Sequence, residues 1–139
     1  ACQLAGLTIV PINWRAKPDE IDFVLGDCGG KAIAFEEVSG QATALSELAR
    51  SIPRIALGPN AGAAELTFAE MVALPAPVAT PRVAADAWSL MLYTSGTTAK
   101  PKGVPRRHRA ERMAALAHVV QNLYGQGERT LGVMPLYHT

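Results

Sequence analysis

The sequence predicts an α/β fold, a partial parallel sheet with flanking helices. Three observations carry this expectation. Short apolar runs of strand length recur, beginning with Leu7-Thr8-Ile9-Val10 and Lys31-Ala32-Ile33-Ala34-Phe35. Between those two lies a segment whose apolar residues recur at helical spacing, Ile21, Val24 and Leu25. Proline and glycine punctuate the joins, with Pro11 after the first run and Gly29-Gly30 before the second. Strand, helix and strand within about 30 residues make a βαβ unit, whose two strands run parallel.

Composition fits one ordinary domain. The chain has 139 residues, 49% of them apolar and 18% charged, with a net charge of +1. That balance gives no global pull toward nucleic acid or a membrane surface. No apolar run approaches the roughly 18 residues that a membrane span needs, and the N-terminus has no secretory pattern. Cys2 and Cys28 are too few for a zinc site or a disulfide framework and read as reduced, partly buried thiols of a cytoplasmic protein. His108, His118 and His138 share no metal-ligand spacing, so no metal site is expected from side chains.

Taken in order, the first run ends at Pro11, and Asn13 to Lys17 is a polar loop. Pro18 suits the first turn of a helix, Asp19 and Glu20 complement its dipole, and Gly29-Gly30 stops it. After the second strand, Thr43 to Arg50 reads as a short helix with Leu45, Leu48 and Ala49 inward. Ile55-Ala56-Leu57 reads as a strand, and Leu66 to Val72 as a helix or two turns. Residues 73–86 form a Pro/Ala-rich connector, stiff and extended where three prolines fall between Ala73 and Arg82. It divides a βαβ-rich segment, 1–72, from a segment of strand, loop, helix and strand, 87–139. Trp88 to Tyr93 is the apolar strand of that second segment. Arg109 to Tyr124 is a helix whose Met113, Leu116, Val120 and Leu123 should pack in the core. Gly125 to Gly127 should end it, and Thr130 to Met134 should form a last strand.

The chemistry concentrates after Tyr93, in Y-T-S-G-T-T-A-K-P-K-G-V. Four hydroxyls (Thr94, Ser95, Thr97, Thr98), two glycines (Gly96, Gly103) and two lysines (Lys100, Lys102) share this stretch. Small side chains let backbone N–H groups approach an anion, hydroxyls donate further hydrogen bonds, and lysine adds a point charge. Phosphate uses all three. A plain surface turn would need only about two to five residues. The Walker A pattern does not fit, because counting from Gly96 its second glycine falls on Pro101 and its hydroxyl on Gly103. The reading is therefore strand, loop, and a second extended piece at Gly103-Val104. Beyond it, Arg106, Arg107, Arg109 and Arg112 join the two lysines, opposed by Glu111. Without interleaved aromatics for base stacking, this cluster reads as a solvated helix start or a positive rim near an anionic ligand, not a nucleic-acid surface.

T-S-G-T-T-A-K-P-K-G-V resembles the phosphate-loop motif of the adenylate-forming (AMP-binding) enzymes, commonly Ser/Thr-Ser-Gly-Ser/Thr-Thr-Gly-x-Pro-Lys-Gly. One position departs: Ala99 stands where the family has glycine, at a cost of about 1 kcal/mol if that position needs positive φ. The stretch from Gly6 to Phe35 resembles a second family segment, G-A-V-x-V-P-x-N-x-R-L-x-P-x-E-L-x-Y-x-L-x-D-S-G-A-K. Met134-Pro135-Leu136-Tyr137-His138-Thr139 resembles the Pro-Leu-Phe/Tyr-His ending of acyl- and aryl-CoA ligases, where peptide-synthetase adenylation domains carry Phe-Asp-x-Ser.

The resemblance implies an incomplete N-terminal domain of an AMP-forming acyl- or aryl-CoA ligase. Such an enzyme uses ATP, Mg²⁺ and CoA to activate a small-molecule carboxylic acid as its adenylate and then as its thioester. It implies that Thr94, Ser95, Gly96, Thr97, Thr98 and Lys102 hold the β- and γ-phosphates, with Thr98 and Lys102 also catalytic. His138 would lie at the acid pocket, Lys100 would face solvent, and His108 would be structural. The alternatives are an amino-acid-activating domain of a peptide synthetase and a non-catalytic α/β nucleotide-binding module.

Overall fold

The computed structural model describes residues 2–59, 62, 64–75, 83–94, 100–129 and 131–133. Contacts divide the chain into two units, Ile12–Val78 on one hand and Ala1–Pro11 with Ala79–Thr139 on the other.

In the unit Ile12–Val78, helix α1 spans Pro18–Cys28. Pro18 pre-sets the first-turn backbone, and Glu20 Oε2 accepts the Lys17 N–H at 2.7 Å. Gly29 ends the helix in the left-handed region, φ 65°, with its N–H returned to the Leu25 carbonyl. Ile21, Val24 and Leu25 are buried as the spacing predicts. Ile21 and Leu25 join Ala16 and Ala49 in the core, with Ile12, Ile33, Ala42 and Ile52 packed around them.

Strand β1 (Ile33–Phe35) leads to helix α2 (Glu37–Leu45), strand β2 (Arg54–Ala56), strand β3 (Leu66–Thr67) and helix α3 (Phe68–Ala73). The three strands form a parallel sheet in the order β1-β2-β3, with Ala34 opposite Ile55 and Ile55 opposite Leu66. Each crossover between parallel strands is bridged by more than a tight turn, as parallel pairing requires.

Two local expectations are corrected here. The helix placed at Thr43–Arg50 is instead α2, Glu37–Leu45, followed by a 3₁₀ turn at Ala49–Ser51. Leu45 is 61% exposed, while Ala49 is fully buried. The break comes from Asp22 on α1, whose carboxylate accepts the Ser46 hydroxyl at 2.6 Å and the Leu48 and Glu47 N–H groups at 2.8 and 3.2 Å. Those bonds draw Ser46 out of helical geometry. Partial burial raises the Asp22 pKa, but the bonds from Ser46, Leu48 and Glu47 outweigh it, and the carboxyl sits below its ordinary value. Second, the helix expected over Leu66–Val72 is present as α3, but it starts at Phe68, after Leu66 and Thr67 have formed β3. Thr67 then caps α3, accepting the Glu70 N–H at 3.2 Å while Glu70 Oε2 accepts the Thr67 N–H at 2.8 Å.

In the other unit, strand β4 (Trp88–Thr94) pairs antiparallel with strand β5 (Lys102–Arg107), and helix α4 (His108–Asn122) follows without a break. The run Leu7–Val10 forms no extended strand and does not belong to a βαβ unit with Ile33–Phe35. Its Ile9 makes an isolated parallel bridge to Leu90, donating to the Ser89 carbonyl at 3.0 Å and accepting the Met91 N–H at 2.8 Å. β4 therefore has β5 on one edge and the Ile9 bridge on the other.

Met113, Leu116, Val120 and Leu123 of α4 are exposed, not in a core; Val120 is 70% exposed. The helical spacing is there, but the stripe stays exposed. α4 also ends earlier than Gly125, because Leu123 itself adopts the left-handed region, φ 54°, and returns its N–H to the Val119 and Val120 carbonyls. Residues 131–133 make no strand, and the rest of the expected Thr130–Met134 strand lies outside the described residues. Half of the connector 73–86, residues 76–82, does too. Cys2 is exposed, not partly buried; Cys28 is half-buried, and that burial raises its thiol pKa. Among the described residues, no helix is long and apolar enough to cross a membrane.

Candidate functional site

The candidate site is the mouth of the β4–β5 hairpin. Leu92 is buried, and Ser89 is fully buried with its Oγ accepting from Gln3 Nε2 at 2.6 Å. The strand register shifts between Trp88 and Leu90, so Ser89 sits at a bulge. Above this anchored part the register is regular: Leu92 faces Val104, Tyr93 faces Gly103, and Thr94 faces Lys102. Directly opposed residues of an antiparallel pair share a face, with Cβ atoms about 5 Å apart. The structure thus brings together Thr94 and Lys102, which are eight positions apart in sequence and both exposed.

An antiparallel pair can be joined by a short connection, whereas a parallel one needs a crossover. The segment 95–101 is short, and the hairpin follows from it. Pro105 offers no N–H to the ladder, which suits β5 to an edge position. Ser95, Gly96, Thr97 and Thr98, with Ala99, lie outside the described residues, as does His138.

The basic cluster resolves into two groups. Arg106 Nε lies 2.5 Å from Glu111 Oε1, and Arg109 pairs with Asp86 at 3.2 Å. Arg107 donates to the Asp86 carbonyl and stacks its guanidinium 4.3 Å from the Trp88 ring centroid. These three arginines fasten the base of the hairpin to the start of α4. The His108 and Arg109 N–H groups donate to the Ala87 and Ala85 carbonyls at 3.1 and 2.8 Å, which satisfies two first-turn donors. Lys100, Lys102 and Arg112 make no ion pair among the described residues. The positive charge left for an anion is therefore weighted toward the hairpin mouth.

Sequence reasoning overlooked two features of this site. One is the Asp86–Arg107–Trp88 fastening, for which a tryptophan opening a strand beside an arginine-rich segment was the available signal. The other is the contact between Tyr93 and Gly103. A strand glycine with no turn to make is a sign of close approach. A Cβ on Gly103 would lie 3.1 Å from Tyr93 Cζ, 3.2 Å from its phenol oxygen and 3.0 Å from Met91 Sδ.

A family model described as AMP-binding enzyme matches residues 1–139. The chain belongs to the AMP-binding enzyme family. A sulfoacetate–CoA ligase of Cupriavidus necator is 31% identical to this AMP-binding chain over 137 residues, covering 96% of the chain and 26% of that enzyme. A fatty acid–[acyl-carrier-protein] ligase of Streptomyces coeruleorubidus is 33% identical over 109 residues, 78% of the chain and 20% of that enzyme. The chain thus spans about a quarter or less of the length of these relatives. Among solved structures, a protein of Rhodopseudomonas palustris assigned as a long-chain-fatty-acid CoA ligase superposes with a TM-score of 0.81 at 23% identity, over 96% of this chain and 33% of that one. The o-succinylbenzoate CoA synthetase of Bacillus subtilis superposes with a TM-score of 0.67 at 22% identity, over 99% and 33%. Both superpositions show a shared fold, that of the N-terminal domains of adenylate-forming CoA ligases. The AMP-binding chain is thus a mixed α/β structure, with a parallel three-stranded sheet in one unit and the β4–β5 hairpin in the other.

Proposed function

We propose that the protein carrying this chain is an AMP-forming acid–CoA ligase, and that the β4–β5 hairpin presents its loop for the β- and γ-phosphates of ATP. The observation that carries this reading is the pairing of Thr94 with Lys102. It sets a hydroxyl and an ammonium side by side on one face, at the two ends of a segment holding Ser95, Gly96, Thr97 and Thr98. Family membership and CoA-ligase relatives support the same reading.

The acid's carboxylate attacks the α-phosphorus, the bond to the bridging oxygen breaks, and pyrophosphate leaves with its electron pair. Negative charge grows on the leaving group, so donors already aimed at it gain strength in the transition state. Lys102 supplies the point charge, and Thr94, Ser95, Thr97, Thr98 and the Gly96 backbone supply the hydrogen bonds. His138 would border the acid. Among the described residues no three His, Cys, Asp or Glu side chains gather around one point. Mg²⁺ would ride on the nucleotide phosphates, as it commonly does. The acyl group then passes to CoA. A carrier-protein acceptor is the second reading, supported by the Streptomyces relative that acts on an acyl-carrier protein.

ATP labelled at the α-phosphate tests the reaction. Acid-dependent turnover should give labelled AMP; labelled ADP would refute adenylation. Thioester formed on free CoA supports the ligase, and thioester formed only on a carrier protein supports the second reading.

A further inference from the structure

We propose that Tyr93 is a positioning residue for the phosphate loop: its ring, seated on Gly103, holds the Thr94–Lys102 pair in place. The inference rests on the adenylation reading of the loop. Tyr93 and Gly103 are directly opposed, one step inside the Thr94–Lys102 pair. Successive strand residues point to opposite faces, so ring and glycine occupy the face behind the one that carries the hydroxyl and the ammonium.

Gly103 is not required by its backbone, because it is not among the glycines with positive φ. What crowds a side chain there is its neighbours. At 3.1 and 3.2 Å from Tyr93 ring and phenol atoms, an added Cβ would sit tighter than most real Cβ contacts, and the ring would have to give by a few tenths of an ångström. The Met91 contact at 3.0 Å involves the end of an unbranched, adaptable side chain that can give way. The pairing of an aromatic with a cross-strand glycine is a known device for pinning register. Lys102 is the residue next to Gly103, so a shift of the strand there displaces the ammonium directly. A misplacement of about 1 Å at a reacting centre can cost on the order of a hundredfold in rate.

The coupling is testable in the enzyme that carries this chain, by acid-dependent exchange of labelled pyrophosphate into ATP. Gly103→Ala and Tyr93→Ala should each lower the exchange kcat about tenfold. The double variant should be no worse than Tyr93→Ala alone, because without the ring the new methyl has room. Tyr93→Phe, which keeps the ring, should recover most of the Tyr93→Ala loss, while thermal unfolding of all four variants stays close to the parent. Losses that multiply to about a hundredfold in the double variant would overturn the proposal. An enzyme with no exchange at all refutes the adenylation reading but still decides the clamp, through amide hydrogen exchange across residues 88–107. The clamp stands if Gly103→Ala speeds that exchange only when Tyr93 is present, and falls if it does so equally in both backgrounds.

Discussion

Asp22 shows how one side chain sets the course of a whole segment. Its carboxylate accepts three hydrogen bonds from Ser46, Glu47 and Leu48, and so fixes where α2 ends and where the Ala49–Ser51 turn starts. Because these bonds hold its folded-state pKa below the ordinary 3.8, its contribution is complete above that value and is lost as pH falls through the lower, folded-state value. Asp22→Asn keeps the shape but replaces one acceptor with a donor. It should destabilise the protein by about 1–2 kcal/mol at neutral pH, after allowance for partial exposure. In denaturant titrations the gap between parent and variant should close in acid; a gap unchanged down to strongly acidic pH would show that the charge plays no part. No sequence pattern announced this residue, since its partners lie more than twenty positions away.

The helix ends separate what was legible locally from what was not. Pro18 and Gly29 bracket α1 as sequence reasoning expects, because each acts through its own backbone. Nothing lies within 4 Å of a Cβ built on Gly29, so Gly29→Ala should cost about 1 kcal/mol through φ alone. The end of α4 was misplaced because Leu123, not a glycine, takes the left-handed position. Leu123→Gly should therefore stabilise the protein by about 0.5–1 kcal/mol, read as a raised Tm, with a lowered Tm counting against it. β4 and the extended piece after Pro101 were also legible, from an apolar run and from proline. Their antiparallel pairing, the Ile9 bridge and the arginine fastening were not, because each is a contact between distant segments.

At the scale of the molecule, the site was legible as a string of residue types, and the structure supplies the geometry of its two ends, Thr94 and Lys102. The phosphate-loop residues between them and His138 lie outside the described residues, so their roles rest on motif and family. The exposed stripe of Met113, Leu116, Val119, Val120 and Leu123 marks α4 as a helix built for burial that is not buried here. The 139-residue chain on its own should therefore self-associate with rising concentration. Sedimentation showing a stable monomer would contradict that. In this mechanism the loop stabilises departing pyrophosphate. Acid-dependent exchange of labelled pyrophosphate into ATP tests it most directly, comparing the parent enzyme with Thr98→Ala and Lys102→Ala. Loss of one such donor costs about 2–3 kcal/mol when it acts in the transition state. Exchange is expected in the parent, and in each variant a kcat lowered by roughly two orders of magnitude with little change in the KM for the acid. Turnover that yields ADP and phosphate without exchange, or variants that raise only the acid's KM, would contradict it.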